Sequence, residues 1–217
     1  MAQTTPLIRM TVVDRVVEVL RDEVLSGRLP LGEPLREEQV ADRVGASRHT
    51  VRTAFHRLAA ERVLVALPYR GVRVAELEPG AIVELQQLRA ALEGEAVRIA
   101  NERFGSTWPA DVTAPAEAAL ARLAELGAAG SEDWLAVERA HADFHRALVG
   151  ASGSSRIVQA HAALESELML FLLHMRPHYG LGDLVDEHRS FLADVQHRGS
   201  VAVHEHLAHS TRLLLGD

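Results

Sequence analysis

Val40-Ala-Asp-Arg-Val-Gly45-Ala-Ser-Arg48-His-Thr-Val51-Arg-Thr-Ala54 is the stretch on which the reading of this chain turns. A short helical pattern begins near Glu37 and stops at Gly45, and Ser47 stands where the next helix needs an N-cap. Ala41, Gly45 and Val51 put a small residue, a turn glycine and an apolar residue where two helices must cross closely. The second helix runs on to about Glu61. Arg48 and Arg52 are four apart and share one face near its start.

The flanks complete the pattern. Upstream, Val12, Val16, Val19 and Leu20 recur at helical spacing and continue to Val24, with Gly27 as the stop. Pro30, Gly32 and Pro34 punctuate the segment from Arg28 to Leu35, which reads as an extended connection. Downstream, residues 63–67 and 72–74 read as two short strands around Pro68-Tyr-Arg-Gly71, a β-hairpin wing. Three helices followed by such a hairpin form a winged helix-turn-helix, assigned to residues 8–76. In that motif the N-terminal part of the second helix of the pair enters the major groove of DNA. Arginine there donates a bidentate pair to guanine or holds a phosphate. The candidate DNA-reading residues are therefore Ser47, Arg48, His49, Thr50 and Arg52, with Arg70 and Gly71 at the wing tip. An isolated arginine pair solvates a helix face as readily as it binds DNA; the surrounding pattern is what favours DNA.

Composition sharpens the division. The net charge of −7 splits into a basic head and an acidic body. Residues 1–75 carry 12 arginines against 9 carboxylates, and the remainder carries 11 against 21. Nucleic-acid binding thus belongs to the head. Ten of the 12 histidines lie in the body. The absence of cysteine excludes disulfides, thiolate zinc sites and redox pairs. No apolar run approaches the ~20 residues of a membrane span, and the N-terminus has no signal-peptide core. The cytoplasm is the natural compartment.

The body, residues 77–217, reads as an all-α bundle with no strand pattern. A long helix with Ile82, Leu85, Leu88, Leu92, Ala96 and Ile99 on one face is broken at Gly105-Ser-Thr-Trp-Pro109. Further helices are expected at about 114–127, 132–149, 155–176, 183–198 and 200–215. His141 and His145 fall in or beside the apolar stripe of Trp134, Val137, Phe144 and Leu148, and His188 in that of Leu184, Phe191, Leu192 and Val195. On a wheel of about 100° per residue, His206 sits on the buried side of the last helix, and His209 nearer its margin. A His-x-x-x-His pair with inward histidines from two further helices makes a candidate divalent-metal site: His141, His145, His188 and His206. A lone histidine on an apolar face is usually a hydrogen-bonded core residue, and His161 is read that way. Arg89, at the edge of an apolar face, needs a partner. An ion pair with Glu93, four residues on, is one candidate.

The head resembles the DNA-binding domain of the GntR family of bacterial regulators. The matching stretches are Gly27-Arg-Leu-Pro-Leu-Gly-Glu-Pro-Leu35, Val40 to Arg48, Val51-Arg-Thr-Ala54, Arg57-Leu-Ala59 and Pro68-Tyr-Arg-Gly71. The body resembles the FCD domain of the FadR-type branch, through Leu88-Arg-Ala-Ala-Leu-Glu93, Phe144-His-Arg-Ala-Leu148, Ala151-Ser-Gly153 and Glu187-His-Arg189. The resemblance implies a transcriptional regulator, a repressor by preference, acting as a homodimer on a pseudo-palindromic operator. It implies a small carboxylate-type effector that contacts Arg89 and a metal held by one aspartate and three histidines. His145 and His188 match two of those histidines; His141 stands where the aspartate is usual, and the third histidine is His206 or His209. An all-imidazole set would favour zinc or nickel. Glu38 stands where the family often has a DNA-contacting arginine, and Arg36 lies close enough to substitute. Two other functions fit the same residues: a regulator for which the ion itself is the signal, and a metal-dependent hydrolase. The hydrolase lacks a general base beside the histidines and leaves the head unexplained.

Overall fold

The structure, a computed structural model, describes residues 10–67, 71–130, 133–178 and 180–216, and the chain divides into two compact units after Glu76. In the first unit α1 (Val12–Leu25) opens on a capping box, with Thr11 and Asp14 satisfying each other's backbone N–H groups. β1 (Pro34–Leu35), α2 (Glu37–Val44) and α3 (Arg48–Ala60) follow, then β2 (Leu64–Leu67) and β3 (Gly71–Val74). Gly45 takes the left-handed conformation, φ 65°, at the end of α2, and Ser47 caps α3 by accepting from the Thr50 N–H. α1 packs against α3, and Val16, Leu20, Val24, Val51, Phe55 and Leu58 are all buried.

The segment read as a plain extended connection ends in a paired strand. β1 joins the hairpin in an antiparallel sheet of order β1-β3-β2, with Pro34 opposite Arg73 and Leu35 opposite Val72. Pro34 is tolerated because β1 is an edge strand, where a missing N–H costs no ladder bond. Gly71, at φ 89°, runs so close to β1 that a Cβ would stand 2.7 Å from the Leu35 carbonyl oxygen. Only glycine fits there.

The second unit is helical throughout its described residues: α4 (Pro79–Phe104), α5 (Ala110–Ala128), α6 (Trp134–Gly150), α7 (Ser155–Ala162), α8 (Glu165–Met175), a 3-10 turn (Arg176–His178), α9 (Leu181–Arg198) and α10 (Ser200–Leu215). Val97, Leu123, Val137, Phe144, Leu148, Phe191, Val195 and Val203 share one core cluster. α4 lies against α10, with Gly94 facing Ser200, where a Cβ would stand in ordinary contact at 3.5 Å. Gln86 ties the same pair by donating to the Leu207 carbonyl at 3.2 Å and to Ser210 Oγ at 2.8 Å.

Two helix boundaries differ from the sequence expectation. The single helix expected over 155–176 is two, α7 and α8, parted at Ala163 and Leu164 with no glycine or proline to mark the break. α5 starts four residues early, at Ala110, and contains Pro115. The expected breaker 105–109 is a packed corner: Trp108 is buried and its indole N–H donates to Asn101 Oδ1 at 2.7 Å. Among the described residues, no helix is long and apolar enough to cross a membrane.

Glu138 in α6 is a further departure from hydrophobic patterning. Its side chain is buried and neither carboxyl oxygen has a hydrogen-bond partner. Burial raises its pKa from the ordinary 4.5 to about 9, against the pull of Arg176 and Arg139. A folded-state pKa raised in this way makes stability fall as pH rises between about 4.5 and about 9, because only the unfolded chain releases the proton there. At pH 7 the penalty is on the order of 3 kcal/mol. Glu138→Gln, which keeps the shape without the ionisation, should match wild type near pH 5 and be more stable by that order at pH 7 and above. Urea unfolding at several pH values checks this; parallel pH profiles for the two proteins would mean that Glu138 is solvated or paired.

Candidate metal centre and DNA-reading face

α6 presents His141 and His145 one turn apart, α9 brings His188, and α10 brings His206. Ligating nitrogens of His141, His145 and His188 all lie within 4.8 Å of one another. His206 joins the edge of this group, its ring 4.8 Å from that of His188 and 5.5 Å from that of His145, stacked on Phe191 at 4.1 Å. His209 is exposed, so the geometry favours His206 as the fourth imidazole. His141 is only half-buried, whereas His145 and His188 are fully inside. Asp143, on the opposite side of α6, pairs with Arg146 at the surface.

Hydrogen bonding fixes how the rings face. The Glu93 carboxylate lies 3.0 Å from His145 Nδ1, and an anionic acceptor so close places the ring proton on that nitrogen. His188 Nδ1 donates to the Leu184 carbonyl at 2.8 Å. Both Nε2 atoms are then bare, and they face each other at 3.3 Å. Two lone pairs at that separation repel unless a cation lies between or beside them. His206 differs: its Nδ1 is 2.9 Å from Glu187 Oε1 but forms no hydrogen bond there. Carboxylate or carbonyl partners on Nδ1 are how metal-binding histidines are oriented. Burial first, then the neighbouring imidazoles, holds the His141 and His188 pKa values well below 6.5, and burial does the same for His206. The rings are neutral at pH 7, with lone pairs available. The donor set fits a divalent ion that accepts imidazole.

Glu93 is the carboxylate behind the site. It is wholly buried, accepts from Arg89 Nε at 2.8 Å, and lies 3.2 Å from His161 Nε2. Burial works to raise its pKa, but Arg89 and His145 together hold it well below 4.5. Arg89 is itself 3% exposed and also donates to Gln86 at 3.1 Å, so the ion-pair alternative for Arg89 is realised. Arg89 nevertheless lines a cavity of about 20 Å³, together with His141, His188, His206, Glu187 and Met175. That volume holds one water or one ion. Spacing had pointed to the histidines and to Arg89–Glu93. The Glu187–His206 contact joins two helices and has no local sequence signature.

In the first unit Arg48, His49 and Arg52 at the start of α3 are exposed, as is Arg36 at the N-cap of α2. Ser47 and Thr50 are occupied with capping, their hydroxyls 2.8 Å apart, and Arg52 lies 3.5 Å from His49 Nδ1. Arg48 forms an ion pair with Glu38 of α2. Gly71 is required by the close approach of β1, a structural reason independent of DNA. Arg70 lies outside the described residues.

Removing one partner from a buried ion pair strands the other charge. Glu93→Ala should therefore destabilise the protein by about 3–5 kcal/mol, whereas the double change Arg89→Met, Glu93→Leu should cost clearly less. Denaturant unfolding of both variants is the check; equal losses would mean that Arg89 and Glu93 are not coupled.

Comparison with known proteins agrees with this architecture. Residues 12–74 match the family described as bacterial regulatory proteins, gntR family, and residues 84–212 match the FCD domain. The "Probable D-xylose utilization operon transcriptional repressor" of Paenarthrobacter nicotinovorans is 33% identical over 205 residues, 94% of this chain and 87% of that protein. The HTH-type transcriptional repressor GlaR of Escherichia coli (strain K12) is 29% identical over 142 residues, 64% of this chain and 63% of its own. A crystal structure of a GntR transcriptional regulator from Rhodococcus sp. RHA1 superimposes with a TM-score of 0.75 at 26% identity, covering 94% of this chain and 97% of that one. These relatives are transcriptional regulators rather than enzymes. With both of its domains matched in order, this chain belongs to the GntR family of bacterial transcriptional regulators, in the branch that carries a C-terminal FCD domain.

Proposed function

We propose that this chain is a repressor whose operator affinity is set by a small organic acid bound beside a histidine-held divalent metal. Residues 8–76 bind DNA and residues 77–217 bind the effector. The observation that carries the metal is the pair of bare Nε2 atoms of His145 and His188, 3.3 Å apart, each with its Nδ1 committed to an acceptor. His141 and His206 complete a neutral imidazole set, which suits zinc or nickel. The ion would supply a positive centre for an effector carboxylate; Arg89, at the cavity wall, supplies a second. A cavity of about 20 Å³ admits no organic acid as it stands, so effector entry requires α8, α9 or α10 side chains to yield. That requirement is the proposed source of allostery: the effector favours a second arrangement of the bundle, and the operator favours the first. Two heads in a homodimer would read the halves of a pseudo-palindromic operator in the cytoplasm. Similarity to a D-xylose operon repressor supports repression as the direction of control.

The small cavity also favours a second reading, in which the ion alone is the signal. Elemental analysis of untagged protein beside a His145→Ala, His188→Ala variant tests the metal: near-stoichiometric zinc or nickel in wild type and none in the variant is expected. No uptake by wild type, even after incubation with either ion, would sink the metal. Operator affinity measured with metal alone and with metal plus candidate carboxylates separates the two readings.

Contact of α3 with DNA has its own check. Log affinity should fall steeply with log salt concentration, and Arg52→Ala should lose at least about tenfold in specific binding while staying folded. Wild-type affinity in that variant would overturn the placement of α3 in the groove.

A further inference from the structure

The exposed ion pair between Glu38 and Arg48 joins the first turn of α2 to the first residue of α3. Arg36 and Arg52 are exposed close by in sequence, so a carboxylate stands on a face otherwise equipped with arginines. Such a group is repelled by phosphates, and its cost on a DNA-facing surface needs an offsetting contact. Both side chains are 64% exposed, so the ion pair by itself contributes little to stability. Among base edges in the major groove, hydrogen-bond donors are confined to cytosine N4 and adenine N6, and carboxylates pair with the former. Arginine has five donors, so Arg48 can hold Glu38 and still present a fork to guanine.

We propose that Glu38 reads a base: steadied by Arg48, its carboxylate accepts a hydrogen bond from cytosine N4, beside the guanine that Arg48 contacts. The inference rests on α3 occupying the major groove and adds to it a specificity-determining residue on α2. Arg48 is then oriented by Glu38 before DNA arrives, and the pair selects adjacent cytosine and guanine positions in each half-site.

The test uses full-length protein and a library of random duplexes. The sites enriched by wild type are then re-measured with each base replaced in turn, for wild type, Glu38→Gln and Glu38→Ala. Wild type should discriminate about tenfold in favour of cytosine at one position of the half-site. Both variants should lose that preference and keep the preferences elsewhere. Arg48→Ala should lose discrimination at the neighbouring guanine. If the Glu38 variants bind every duplex more tightly and leave the cytosine preference intact, Glu38 is only an electrostatic brake and the inference is overturned. If Arg52→Ala binds the selected site as wild type does, α3 is misplaced, and the inference falls with that reading instead.

Discussion

A carboxylate with no contact to water survives as an anion only if donors surround it, and Glu93 is such a group. Arg89, one turn behind it on α4, supplies the balancing charge, while His145 from α6 and His161 from α7 close around its two oxygens. Much of the centre follows from that requirement. The ring proton of His145 is drawn to the Glu93 side, which turns its other nitrogen toward His188. Arg89 is held at the wall of the small cavity rather than released to solvent. Three helices are thereby keyed to one buried charge, and apolar packing alone would give them no such register.

The parts of this arrangement legible in the sequence were those governed by local periodicity. His141 and His145 lie one turn apart on one helix, and no tertiary knowledge is needed to see that they share a face. Capping was equally readable, since Ser47 after Gly45 has few uses other than to start a helix. What escaped was everything decided between distant segments. Pro34 and Leu35 look like loop residues until β3 arrives to pair with them. The break between α7 and α8 has no glycine or proline to announce it, and it falls just after His161 meets Glu93. Glu187 and His206 lie on different helices, and nothing in either neighbourhood names the other. Arg89 was undecidable from spacing alone, because a carboxylate at i+4 permits an ion pair and says nothing about a ligand.

The two units solve different problems with the same residue type. In the head, arginine is left at the surface, and Ser47 and Thr50 beside it are spent on the cap of α3. In the body, Arg89 is sealed and donates to Glu93 and Gln86. A surface guanidinium is free to exchange partners as solvent and salt dictate. A buried one makes and breaks its contacts together with the structure around it.

The packing of α4 against α10 sets an order of events during synthesis. These are the first and last helices of the second unit, and Gln86 reaches across to the carbonyl of Leu207 and the hydroxyl of Ser210. Contacts so far apart along the chain close last, after the entropy of the intervening loop has been overcome. The head needs no residue beyond β3 to complete its sheet. On a ribosome, the head would thus have its complete sheet well before α10 emerges to close on α4.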